Sequence, residues 1–265
     1  MRIKNNFLKQ LSITLWAFLL TIAPLQAFAN TPNNLNVYDF SNDITIVEKN
    51  ITNKDAEFLK TRERLIKKVG FKNAYALLGY IPVEQKIIDI EVPSASQSVQ
   101  TLYATRSTPT TVSKSKNVSK GTMKVTMYKN PQSNYMDIWG EMTFSSGNKA
   151  GLIAFDDLFA LNFDDTQVAK VSTSRTPSII NYNSSNSGGG EGRIQDGSTY
   201  ARIVFTVKPN IISKNITECH GDTILLYGEK NVALPDNVSI SVSGGSLSVS
   251  SGGHYSLNYL QYTGW

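Results

Sequence analysis

The sequence predicts a mainly β chain, an antiparallel β-sandwich preceded by a short helical arm. Three observations carry this. Beyond residue 82, short β-branched and aromatic runs alternate with turn signals, and no long helical pattern interrupts them. From Val238 onward, apolar residues alternate with serine around two Gly-Gly pairs. Before residue 82, one strongly charged segment carries apolar residues at helical spacing.

The chain opens on the layout of a secretory signal. Arg2, Lys4 and Lys9 precede and enter an apolar run that ends at Ala27-Phe28-Ala29, a small-x-small site. Pro24 and the polar Ser12, Thr14, Thr21 and Gln26 disfavour a membrane-spanning helix. Cleavage after Ala29 is expected, and a secreted or extracellular protein with it. No second long apolar segment follows, so no transmembrane helix is expected in the mature chain. The Asn-, Lys-, Ser- and Ile-rich usage points to a bacterial source.

Residues 30–82 read as a polar entry segment and the helical arm. Thr52-Asn53-Lys54-Asp55 offers a capping-box start with Asp in place of Glu. Phe58, Leu59, Leu65 and Ile66 within 54–68, and then Val69, form one helical stripe. Glu63 and Lys67 are a favourable i,i+4 pair, and Gly70 is the stop. A second short helix is expected over 73–78. The β domain should span 83–265. Its strands are expected at 87–92, 122–128, 135–144, 152–155, 158–163, 168–172 and 200–207. Turns are expected at Asn130-Pro131, Ser146-Gly147-Asn148 and Asp196-Gly197. The Asn-, Ser- and Gly-rich stretch 183–198 reads as a flexible loop. The C-terminal stretch reads as a three-stranded meander.

Composition narrows the function. Of 26 basic residues three fall in the leader, which contains no acid. The mature chain therefore has 26 − 3 = 23 bases against 21 acids, a net charge of +2. That lacks the strong basic excess of most nucleic-acid binders, so no nucleic acid is expected as a partner. A single cysteine excludes an intramolecular disulfide, and two histidines argue against a multi-histidine metal site.

Catalytic motifs are missing. Gly188-Gly189-Gly190-Glu191-Gly192 is followed by Arg193-Ile194, without the Gly-Lys-Ser/Thr of a phosphate loop. Cys219 beside His220, with His254 elsewhere, fits no known thiol motif, and a buried free thiol is the expectation. No Gly-x-Ser-x-Gly elbow occurs.

Charge placement is more informative. No acid lies between Pro93 and Met136, but Arg106, Lys114, Lys116, Lys120, Lys124 and Lys129 do. The following stretch holds Asp137, Glu141, Asp156, Asp157, Asp164 and Asp165, with Lys149 as its one base. Either these segments pair as neighbouring strands and neutralise one another, or the bases form a strip for anionic polymer. Lys114, Lys116 and Lys120 are the binding candidates on the second reading. Tyr255, Tyr259, Tyr262 and Trp265 are candidates for stacking on sugar rings. Asp156, Asp157, Asp164 and Asp165 could supply oxygen ligands to Ca²⁺, although no EF-hand spacing is present and no other cofactor is expected.

The leading reading is a secreted, non-enzymatic binding or cell-surface-associated protein for cell-wall polysaccharide or anionic surface polymer. A carboxylate-dependent, glycosidase-like hydrolase using Asp156 or Asp164 is one alternative. A membrane-inserting β-hairpin toxin built on residues 238–249 is another.

Overall fold

Strand β5 (Tyr135–Phe144) shows how the body is organised. Its even positions Met136, Ile138 and Met142 enter a large apolar core, while its odd positions Asp137, Trp139 and Glu141 are also buried. Both faces are therefore covered, one by a second sheet and one by helices. The computed structural model describes residues 42–82, 86–90, 121–145, 156–184, 187–230, 239–243, 246–250 and 255–265. The expected leader, the strand expected at 152–155 and the turn expected at Ser146-Gly147-Asn148 lie outside them.

The molecule is mainly β, with two antiparallel sheets. In the first, β1 (Ile44–Val47), β7 (Val168–Arg175), β10 (Tyr200–Pro209), β5 and β4 (Gly121–Asn130) are neighbours in that order. The far edge of β4 takes β2 (Ile81–Pro82) and β3 (Lys86–Ile90). The second sheet runs β14 (Tyr255–Thr263), β11 (Asp222–Lys230), β6 (Asp157–Phe163), β9 (Gly189–Ile194), β8 (Ile179–Asn183). The two share one core. Met127, Ile138 and Phe205 of the first sheet cluster with Leu161, Leu225 and Leu260 of the second. At Gly140 of β5 a Cβ would meet Leu225 and Leu161 side-chain carbons at 2.7 and 2.9 Å, so a larger residue would wedge the sheets apart.

The β4–β5 turn follows its sequence. Asn130 Oδ1 accepts from the backbone N–H groups of Gln132 and Ser133, and Asn134 takes the left-handed conformation at φ 65°.

Two of the expected β features are corrected. The 183–198 stretch is not simply a loop, because residues 189–194 form β9, paired to β6 on one side and β8 on the other. The glycines there serve close approach. A Cβ on Gly190 would lie 2.0 Å from the Tyr182 hydroxyl. The three-stranded meander is the second correction. β12 (Ser239–Ser243) and β13 (Ser246–Ser250) pair as a hairpin around Gly244-Gly245, but β14 pairs with β11. β14 joins the second sheet because Leu260 and Tyr262 bury in the common core, which a free hairpin partner cannot offer.

The charged segment 53–69 folds as helix α1 (Asn53–Val69). Thr52 and Asp55 complete the capping box, with Thr52 Oγ1 accepting from the Asp55 N–H at 3.2 Å and Asp55 Oδ2 accepting from the Thr52 N–H at 2.7 Å. Gly70, at φ 79°, separates α1 from α2 (Phe71–Leu78). The segment expected as an arm is docked on the outer face of the first sheet. Phe71 and Tyr75 pack on Tyr128, Trp139 and Val204. Trp139 is thus core, under the helices rather than between the sheets.

Candidate functional site

The outer face of the first sheet is the most polar buried region described. The register brings Lys124, Glu141 and Arg202 into one row, and Tyr128, Asp137 and Thr206 into another. The helical cover supplies partners to the second row. Arg62 of α1 reaches down to Asp137 at 2.7 Å and donates to Thr206 Oγ1 at 2.7 Å. Tyr75 of α2 donates a short hydrogen bond to the same carboxylate. Burial opposes the Arg62 charge, but the adjacent Asp137 outweighs it and holds the guanidinium firmly protonated. Burial, with Asp137 beside it, pushes the Tyr75 phenol well above its usual range. In the other row Glu141 pairs with Lys124 at 2.8 Å and accepts from the Tyr200 hydroxyl at 2.5 Å. Arg202 pairs with Asp43 at 2.6 Å and lies over the Trp139 ring.

Asp55 plays a second part beneath its cap. It accepts from Lys208 Nζ at 2.6 Å and from the Tyr135 hydroxyl at 2.8 Å. Burial alone would raise its carboxyl, but the bonds from Lys208, the Thr52 N–H and Tyr135 win and lower it from 3.8 to about 2. A depressed carboxyl stabilises the fold above the unfolded-state pKa, and that contribution fades as pH falls toward 2. We expect Asp55→Asn to cost on the order of 2 kcal/mol at pH 7 and much less at pH 2. Urea unfolding at both pH values checks this.

Beside this layer lies an open cleft of about 280 Å³ between α1 and the β1–β7 edge. Thr45 and Val47 of β1 and Ser174 of β7 form its floor. Ala56, Leu59 and Ile66 of α1 form its wall, with Ile51 at one end. The charged groups lining it are Asp43, Lys60, Arg62, Glu63 and Lys67.

The residues singled out from the sequence are not brought together. Lys114, Lys116 and Lys120 lie outside the described residues, just ahead of β4. Their neighbours Lys124 and Lys129 are in β4, where Lys124 pairs with Glu141 as the strand-neutralisation reading expected. Lys129 instead donates to the Cys219 carbonyl at 3.1 Å and lies over the Trp265 ring.

The aromatic candidates split. Tyr255 opens β14 opposite Lys230 in the backbone register, and Tyr259 is half-buried. Tyr262 and Trp265, expected as stacking surfaces, are core residues at 6% and 2% exposure. They bury because β14 docks on β11, and the chain then turns so that the Gly264 and Trp265 N–H groups both donate to Gly221 O. A sugar ring cannot reach either one in this fold.

The four aspartates offered as Ca²⁺ ligands stand apart as two pairs. Asp156 and Asp157 stand at one end of β6, Asp164 and Asp165 at the other. The seven-residue strand β6 lies between Asp156 and Asp164, a span of roughly 26 Å if extended throughout. Asp157 accepts from the Tyr227 hydroxyl and the Lys230 N–H, and Asp164 from Thr166. Asp165 accepts from Ser187. Glycosidase carboxyl groups lie within about 10 Å of one another, so Asp156 or Asp164 in that role would each need a different carboxylate partner. No cluster of three potential metal ligands occurs among the described residues.

Cys219 is fully buried, and burial raises its thiol above the ordinary value, the opposite of nucleophile activation. The ring of its neighbour His220 is engaged at Nδ1 with the Trp265 carbonyl, and His254 lies outside the described residues. The hairpin arms β12 and β13 are five residues each, short of the roughly 9–11 that a membrane strand needs. No described helix is long and apolar enough to cross a membrane.

The cleft was not visible in sequence. The α1 stripe carries a signal, but its partners Thr45, Val47 and Ser174 come from distant strands.

No family model matches the chain, and no curated protein matches it. Among solved structures, a chain from work on pH-induced modulation of Streptococcus parasanguinis adhesion by Fap1 fimbriae is similar at 10% identity and a TM-score of 0.30. The likeness covers 68% of this chain and 96% of that one, and at that TM-score it carries no argument about function.

Proposed function

We propose that the chain is an exported, non-enzymatic binding protein of β-sandwich build, held at a cell surface by contacts between its basic run and anionic cell-wall polymer. The observation that carries this is where the acids go. Asp137 and Glu141, the acids nearest the run in sequence, are buried and committed to Arg62, Tyr75, Lys124 and Tyr200. Strand pairing neutralises Lys124 and leaves neither carboxylate for Lys114, Lys116 and Lys120. Three lysines within seven residues, with no acid among them, suit a polyanion through several weak, salt-screened contacts. Tyr255 and Tyr259 are the aromatic candidates left for glycan contact.

The test is co-sedimentation with bacterial cell walls at low salt. Reversal of all three lysines to glutamate should lower the bound fraction at least tenfold, with unchanged thermal stability. Wild-type binding by the triple variant would end the proposal.

A further inference from the structure

The α1–β1 cleft has a charge balance that selects a ligand class. Each charged group lining it but one has a partner of opposite sign. Arg62 is taken by Asp137, Asp43 by Arg202, and Glu63 by Lys67 at 2.9 Å. Lys60 is the exception: it is exposed at the cleft mouth, and no ion pair holds it among the described residues. The cleft thus presents one uncompensated positive charge beside an apolar surface of Val47, Ile51, Leu59 and Ile66. Val47 is 47% exposed, an apolar side chain left without cover.

We infer that this cleft binds a small amphiphilic monoanion, an aliphatic carboxylate. Its head pairs with Lys60 and its chain lies along Val47, Leu59 and Ile66. A dianion would leave a charge unmatched, and a cation would face Lys60. The volume, at the small end of ligand pockets, limits the aliphatic body to a short chain. This inference is independent of the lysine run at 114–120.

Isothermal titration of the full mature chain with sodium octanoate, hexanoate and octylammonium, all below micelle formation, tests it. Octanoate should bind saturably at one site. Shortening the chain should weaken binding by up to about fourfold per methylene, and octylammonium should not bind. Lys60→Glu should lose at least tenfold in octanoate affinity, and Val47→Asn should also weaken it. Lys54→Glu, exposed on α1 outside the cleft lining, should bind as wild type. Equal binding of octanoate and octylammonium overturns the inference, as does full affinity in Lys60→Glu. Absence of saturable binding also overturns it, whether residues 30–41 or a second copy of the chain fill the cleft instead.

Discussion

Replacing Arg62 by methionine is expected to destabilise the protein by about 3–5 kcal/mol. Asp137 is fully buried beneath the helical cover, and Arg62 is the cation that balances it. Loss of the guanidinium leaves a carboxylate with Tyr75 and no countercharge. Asp137→Leu should cost a similar amount, because it strands the Arg62 charge at a site only 11% open to solvent. The pair together should behave differently. With both charges gone, Arg62→Met with Asp137→Leu should recover much of the loss, since a buried ion pair often gives little net stability over apolar residues of similar size. Chemical denaturation of the two single variants and the double variant checks this. Additive losses would mean that the residues act separately and that the helices are not anchored through this pair.

Trp265→Ala is expected to cost about 3–5 kcal/mol, the range for removing a large aromatic from a core. The indole sits against Gly221, where a Cβ would lie 2.7 Å from the ring, and Lys129 caps its face at 5.7 Å. For a body of this size the loss corresponds to a fall in Tm on the order of 10 °C. Trp265→Phe should retain part of the stability. A surface platform for sugars would behave otherwise, with a stability change within about 0.5 kcal/mol and the whole effect in binding. Thermal unfolding separates the two roles.

These two sites show where sequence reading succeeds and where it stops. The β runs and the capped helix were legible because their signals are local. Alternation, a Thr-x-x-Asp box and an Asn-Pro turn act within a few residues. The misreadings came from long-range packing. Gly189 to Gly192 look like a linker in composition, yet β9 needs glycine because Tyr182 and Asn162 crowd it from neighbouring strands. Tyr262 and Trp265 look like exposed aromatics until β14 pairs with β11. The aspartate pairs look convergent until β6 holds them at opposite ends. Lys124 and Glu141 were the exception. Antiparallel pairing of adjacent runs across a short turn brings them together, and adjacency in sequence is enough to suggest it. The Arg62–Asp137 pair spans 75 residues and two element types, and no local pattern announces it.

The most direct test compares intact walls with walls stripped of anionic polymer, using residues 30–265 across a salt series. The account predicts binding to intact walls at low salt, release at high salt, and little binding to stripped walls at any salt. Undiminished binding to stripped walls, or binding that high salt leaves unchanged, would contradict the claim that the basic run holds this protein at an anionic surface.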